Sequence, residues 1–101
     1  MTAHRIGCIV PAFNAAPTIT SVVGRLRVSM PASTIIVVDD GSTDGTEDLV
    51  RGLADATVRF ARNRGKGAAL RAGFALALAE GHDTLVTVDA DGQHDPRFAP
   101  Q

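Results

Sequence analysis

Residues 34–41 read TIIVVDDG, and they are the most informative stretch of this chain for its fold. A run of threonine, isoleucine and valine is followed at once by two aspartates and a glycine. This pattern is typical of a strand that is buried on both faces and ends in a turn. Strands of this kind belong to parallel sheets covered by helices, so the stretch predicts an α/β fold.

Extended and helical patterns alternate on both sides of this strand. We predict strands at residues 5–10, 34–38, 57–61 and 84–88, and helices at 17–27, 44–53 and from the glycine-rich turn at 63–67 to about 80. Pro11 is expected to close the first strand. Asp44 is expected to cap the second helix, with Glu47 reaching back. The apolar face of the third helix is predicted from spacing to contain Leu70, Phe74, Ala77 and Leu78.

This order predicts right-handed βαβ crossovers, and hence a parallel, Rossmann-like sheet with alternating helices. The 101 residues suffice for one domain. Ligands of such sheets bind at the carboxyl ends of the strands, where most of the polar residues of this chain are concentrated. The last of these loops lies close to Gln101, so we expect the chain to be a truncated part of a larger fold.

Composition and charge make several other classes of protein less favoured. The formal net charge of −1 gives no electrostatic reason to expect nucleic acid. The single cysteine, Cys8, lies in an apolar run and is interpreted as a buried thiol. No apolar run approaches the roughly 20 residues of a membrane span, so we expect a cytoplasmic protein or one at the cytoplasmic face of a membrane.

The loop after the fourth strand predicts a metal site. Asp89 and Asp91 are two residues apart on an extended segment, so both carboxylates can face one cation. With Mg²⁺ or Mn²⁺ bound, such a pair can bridge to a diphosphate, and Gln93 and His94 extend the possible ligand set. An ordinary turn rich in Asp and Gly remains an alternative.

The loop after the second strand is also acidic. Asp39 and Asp40 are suitably located to accept hydrogen bonds from a nucleotide base or ribose. A calcium loop of the EF-hand type fits the first half of the segment, but its twelfth position requires glutamate and holds Arg51.

The loop after the third strand is basic. Arg62, Arg64 and Lys66 cluster at the start of a helix, which is the unfavourable end for cations. A bound diphosphate would relieve the mismatch, whereas a solvated basic turn would need no ligand.

Together these motifs resemble family 2 glycosyltransferases of the GT-A fold, particularly the dolichol- or polyprenyl-phosphate mannosyl- and glucosyltransferases. The resemblance rests on four segments in the family's order, residues 11–14 (PAFN), 36–46 (IVVDDGSTDGT), 63–70 (NRGKGAAL) and 89–96 (DADGQHDP). It identifies residues 1–101 as an N-terminal part that binds nucleotide sugar.

The resemblance implies a GDP- or UDP-sugar donor, a lipid-phosphate or glycan acceptor, and Mg²⁺ or Mn²⁺ as cofactor. It implies Asp89, Asp91 and Gln93 as cation ligands and Lys66 as a phosphate contact. The residues implied in nucleotide binding are Pro11, Phe13, Asn14, Asp39, Asp40, Lys66, Asp89 and Ala90. No catalytic base is assigned, and we expect this chain to bind its donor without transferring sugar.

Two other interpretations stay open from the residues. The chain could be an inactive, truncated remnant that binds nucleotide. It could also be a dinucleotide-binding module, since Gly65 and Gly67 open a helix after a strand, although Leu70 occupies the position of the third glycine.

Overall fold

The computed structural model describes residues 5–90, which form one four-stranded parallel sheet and three helices. The sheet has the order β3-β2-β1-β4, which confirms the predicted α/β fold. The elements, in chain order, are β1 (Ile6–Ala12), α1 (Ile19–Ser29), β2 (Thr34–Asp39), α2 (Thr46–Arg51), β3 (Ala56–Arg59), α3 (Lys66–Ala79) and β4 (Thr84–Thr87).

The two central strands form the core because both of their faces are covered. Side chains of β1 and β2 alternate between a cluster against α1 and α2, which includes Val10 and Val37, and a cluster against α3, which includes Ile9 and Ile36. Cys8 is buried in the first cluster, as predicted, and burial raises the pKa of its thiol. Within residues 5–90, no helix has the length and apolar character needed to cross a membrane.

The first strand is longer than predicted, because Pro11 does not end it. β1 continues to Ala12, and Pro11 pairs in register with Val38 of β2. On the other side of β1, the register with β4 ends at the pair Ile9 and Thr87. The missing N–H of Pro11 therefore leaves no ladder hydrogen bond unmade.

The start of α2 also differs from the prediction. Gly45, with φ 91°, precedes the first helical residue, and no side-chain capping hydrogen bond forms there. Asp44 still accepts a hydrogen bond from the backbone N–H of Thr46 at 3.1 Å. Glu47 does not reach back; its carboxylate pairs with Arg59 at 3.0 Å and with Arg51 at 3.4 Å. The predicted reciprocal cap was therefore wrong in its Glu47 half, because basic partners compete for that side chain.

The buried face of α3 consists of small residues. Ala69, Gly73 and Ala77 are spaced four apart and face the sheet. A Cβ atom added to Gly73 would lie 2.4 Å from Cγ2 of Ile9, so the helix approaches the sheet closely. Leu78, predicted on the apolar face, is 61% exposed. That prediction was wrong because close packing selects the face with the smallest side chains.

Candidate functional site

A cavity of about 380 Å³ opens at the carboxyl end of the sheet, within the size range of small-molecule sites. All four strands contribute to it through the segments that follow them or their last residues. It lies beside β1 and β4, where the strand order reverses and parallel sheets usually bind ligands. The wall is formed by Pro11, Ala12, Phe13, Asp40, Asn63, Gly65, Lys66, Ala69 and Asp89.

Two opposite charges meet in this wall. The Nζ atom of Lys66 lies 2.5 Å from Oδ1 of Asp89, and the two side chains are 58% and 34% exposed. Lys66 begins α3, whereas Asp89 follows β4. The cavity therefore offers both a cation and a carboxylate to a ligand.

Asp40 is the second carboxylate in the wall, but it is only 4% exposed. Its Oδ1 atom accepts a hydrogen bond from the backbone N–H of Arg64 at 2.6 Å. Its Oδ2 atom accepts from the backbone N–H of Gly65 at 2.9 Å and from the side chain of Asn63 at 3.0 Å. Asp40 thus connects the end of β2 to the basic loop after β3.

Asp39 lies outside the cavity wall and is fully buried. Its Oδ1 atom accepts a hydrogen bond from the backbone N–H of Ser42 at 3.0 Å. Its Oδ2 atom has no hydrogen-bond partner, and Nε of Arg59 lies 3.9 Å away. The two adjacent aspartates therefore have different surroundings, because successive residues of a strand point to opposite faces.

Asn14 joins the first loop to the second and does not line the cavity. Its backbone N–H donates to Oγ of Ser42 at 2.8 Å, and its side-chain oxygen accepts from the N–H of Thr43 at 2.9 Å. Asn14 adopts φ 50°, a left-handed conformation that asparagine tolerates better than most residues.

Asp44 fastens the same two loops together. Its Oδ2 atom accepts a hydrogen bond from the backbone N–H of Ala16 at 3.0 Å. The hydrogen bond from the Thr46 hydroxyl is the largest cause that lowers the pKa of Asp44, and the bond from Ala16 adds to it. The first loop is therefore held in place by the second.

The basic loop presents only one of its three cations to the cavity. Lys66 lines the wall, whereas Arg62 is exposed outside it. The guanidinium of Arg64 lies over the ring of Phe60, 4.8 Å from its centroid. A cation–π contact thus occupies Arg64.

The remaining residues predicted for the site differ in whether they line the cavity. Pro11 and Phe13 line the cavity, and Phe13 is 45% exposed. Ala90 is buried outside the wall, and its carbonyl oxygen accepts a hydrogen bond from the hydroxyl of Thr18 at 2.7 Å. Asp91 and Gln93 lie outside the described residues. Within residues 5–90, no group of three or more His, Cys, Asp or Glu side chains gathers to hold a metal ion.

Sequence reasoning did not assign Asn63 to the site. Asn63 lines the cavity and donates to both the carboxylate and the backbone carbonyl of Asp40. Its position at the start of the glycine-rich turn was a possible signal, because asparagine often stabilises turns through its side chain.

The strand order, the parallel pairing and the cavity at the strand ends define an α/β protein of the Rossmann-like class. The sequence model described as Glycosyl transferase family 2 matches residues 8–101, which is most of the chain. The chain therefore belongs to glycosyltransferase family 2.

Named relatives agree with this assignment. The chain is 39% identical over 102 residues to the undecaprenyl-phosphate mannosyltransferase of Micrococcus luteus, covering 96% of this chain and 42% of the relative. It is 40% identical over 94 residues to the polyprenol monophosphomannose synthase of Mycolicibacterium smegmatis, covering 87% of this chain and 36% of the relative. The chain thus spans about two fifths of the length of these relatives.

Solved structures share the fold. A mannosyltransferase from Pyrobaculum calidifontis, in complex with GDP-Man and Mn²⁺, superposes with a TM-score of 0.70 at 33% identity. The match covers 89% of this chain and 28% of that protein. A glucosyl-3-phosphoglycerate synthase from Mycobacterium tuberculosis, in complex with Mn²⁺, UDP and glucosyl-3-phosphoglycerate, gives a TM-score of 0.67 at 29% identity, over 87% and 34% of the two chains.

Proposed function

We propose that this chain binds the nucleoside diphosphate of a sugar donor, such as GDP-mannose or UDP-glucose, in the cavity at the strand ends. The main support is the ion pair between Lys66 and Asp89 in the wall of that cavity. A diphosphate needs cationic groups, whereas a carboxylate can approach it only through a metal ion. The pair supplies one group for each purpose.

The apolar part of the wall suits the base and ribose. Phe13 offers an exposed ring on which a base can stack, and Pro11 lies beside it. Of the other residues predicted for nucleotide binding, Asp40, Lys66 and Asp89 also line the cavity. We propose that Asn14, Asp39 and Ala90 serve the site by holding its loops. Asn14 and Ala90 form hydrogen bonds that join distant segments, and the Asp39 carboxylate accepts a hydrogen bond from Ser42 within the turn after β2.

We also propose that a divalent cation takes part in donor binding, because one carboxylate of the cavity wall is accessible to it. Asp89 offers a partly exposed carboxylate, which is a suitable ligand for Mg²⁺ or Mn²⁺, and we propose that Asp91 and Gln93 complete the set. The bound cation would supply positive charge that stabilises a departing diphosphate. Lys66 would then exchange its contact with Asp89 for one with phosphate oxygens.

For the whole protein, we propose transfer of the sugar to a polyprenyl or dolichyl phosphate at the cytoplasmic face of a membrane. The support is the similarity to relatives named for undecaprenyl-phosphate and polyprenol substrates. Donor binding uses residues described here, whereas we assign no acceptor base among them.

Titration calorimetry with GDP and UDP, in Mn²⁺ or in EDTA, tests the proposal. We expect one of the two nucleotides to bind, and only when the metal is present. Radiolabelled GDP-mannose and UDP-glucose, each incubated with a polyprenyl phosphate, then test transfer by this chain, which we expect to bind its donor without transferring sugar. If neither GDP nor UDP binds in the presence of Mn²⁺, the proposed function is contradicted.

A further inference from the structure

Thr18 directly precedes α1 but does not cap this helix. Threonine at this position usually accepts a hydrogen bond from a backbone N–H group of the first helical turn. The Thr18 side chain makes no such bond. Its hydroxyl instead lies 2.7 Å from the carbonyl oxygen of Ala90, and 3.3 Å from the carbonyl oxygen of Ala15. Because a hydroxyl has one proton to donate, the shorter contact identifies Ala90 as the main acceptor.

Ala90 is held at two points, its side chain and its carbonyl group. The residue is fully buried, in the core cluster against α1 and α2. Thr18 holds the carbonyl group, which belongs to the peptide bond between Ala90 and Asp91. Because a peptide group is planar, a fixed carbonyl restricts the whole group. Asp89 comes just before Ala90, so the residue that Thr18 holds separates two carboxylates that we propose as metal ligands.

The segment that carries Thr18 is itself fixed by its neighbours. The backbone N–H groups of Asn14, Ala15 and Ala16 donate to side chains at residues 42–46, at 2.8, 2.9 and 3.0 Å. The backbone N–H of Thr18 donates to the carbonyl oxygen of Ala15 at 2.9 Å, which closes a turn. Thr18 therefore links a well-anchored loop to Ala90.

We infer that Thr18 is a positioning residue for the divalent cation: its hydroxyl holds Ala90 so that the carboxylates on either side of it in the sequence can share one ion. This inference rests on the proposed function. Oxygen ligands bind hard cations within a narrow range of distances, so groups that orient the ligands influence metal affinity. A purely structural role of Thr18 would instead affect the binding of every ligand alike.

Thr18→Val tests the inference because it exchanges the hydroxyl for a methyl group of similar size. Calorimetry at a series of Mn²⁺ concentrations gives the affinity of the 101-residue chain for the tighter-binding nucleotide of GDP and UDP. We expect the variant to need roughly tenfold more Mn²⁺ for the half-maximal effect. Saturating Mn²⁺ should restore the nucleotide affinity by mass action. The matching nucleoside should lose less than about twofold, because it has no diphosphate for the metal to bridge.

Three further variants accompany this test. Thr18→Ser retains the hydroxyl and should stay within about threefold of the wild-type Mn²⁺ requirement. Thr20→Val makes the same replacement at an exposed threonine of α1, and this matched control should behave as wild type. Thr18→Ala removes the hydroxyl with a smaller side chain and should show the same shift as Thr18→Val, so the test remains available if the valine variant does not fold.

The outcomes separate the inference from the proposed function. If the wild-type chain binds nucleotide and Thr18→Val has an unchanged Mn²⁺ requirement, the positioning role alone is overturned. Equal losses for nucleotide and nucleoside would also overturn it, since they indicate a structural role, as would wild-type binding that needs no metal. If the wild-type chain binds neither nucleotide in Mn²⁺, the proposed function fails and the inference fails with it.

Discussion

The ammonium of Lys66 lies 2.5 Å from the carboxylate of Asp89, so the start of α3 is joined to the end of β4 across the cavity. Both side chains are partly exposed, and pairs of this kind contribute about 0–1 kcal/mol to stability. Such a weak pair can be exchanged for ligand contacts at little cost. The first two predictions follow from this relationship.

Lys66→Ala should weaken nucleoside diphosphate by about tenfold or more and the matching nucleoside by less than twofold, because only the phosphates use the ammonium. The melting temperature should change little, since the side chain is exposed. Parallel calorimetric titrations with guanosine and GDP, or with uridine and UDP, measure both effects. Arg62→Ala is the control, because Arg62 is an exposed cation of the same loop outside the cavity wall. Equal losses for nucleoside and diphosphate would indicate a disturbed fold instead.

The same substitution should strengthen the binding of Mn²⁺ in the absence of nucleotide. Lys66 competes with a cation for the carboxylate of Asp89, so its removal should raise Mn²⁺ affinity by up to about fivefold, the equivalent of an exposed ion pair. Electron paramagnetic resonance of free Mn²⁺ measures this change. Unchanged or weaker Mn²⁺ binding would show that Lys66 does not compete for the metal ligand.

Asp89→Asn should remove most of the metal dependence of nucleotide binding. The amide retains the size of the side chain but loses the charge that attracts a hard cation. Calorimetry with and without EDTA should give nearly the same weak affinity for this variant, and Asp91→Asn should behave similarly. Asp48→Asn should keep the wild-type dependence. Tight, metal-dependent binding by Asp89→Asn would exclude the proposed role of this carboxylate.

A glycine substitution in α3, with a matched control in α1, tests how closely α3 packs on the sheet. Gly73→Ala should lower the free energy of unfolding by about 1–3 kcal/mol, because the added Cβ would meet Ile9 at 2.4 Å. Gly24→Ala, inside α1 where an added Cβ has no neighbour within 4 Å, should instead raise it by up to about 1 kcal/mol. Urea denaturation measures both changes, and a neutral Gly73→Ala would contradict the close packing.

Acid should destabilise the fold partly through Asp55. The hydrogen bond from Arg27 is the main cause that lowers the pKa of Asp55 below 3.8, with a further contribution from the backbone N–H of Ile35. A carboxyl group with a lowered pKa in the folded state stabilises the fold above its unfolded pKa, and this contribution is lost as the pH falls through the folded value. The free energy of unfolding should therefore decrease below about pH 4, and less steeply in Asp55→Asn. Identical acid profiles for the two proteins, measured by urea denaturation, would exclude this contribution.

Much of the fold could be predicted from local patterns. The run before Asp39 indicated a buried strand, and its alternation with helical segments indicated a parallel sheet whose strand ends share one edge. The cavity at that edge was therefore expected. The predicted ends of the elements were less accurate. Pro11 was expected to end β1, but it is tolerated within the strand because the pairing of β1 with β4 ends before it.

The amino-acid sequence by itself determined the class of the fold and the edge of the sheet where the charges collect, because periodicity and strand polarity are local properties. Only the tertiary structure decided what each charge contacts. Asp39 and Asp40 are adjacent and have the same side chain, yet Asp39 is fully buried outside the cavity wall and Asp40 lines the cavity. Likewise, Lys66 and Asp89 meet because α3 packs closely on β1, through a glycine rather than through Leu78. These outcomes depend on packing between distant segments, which no local pattern encodes.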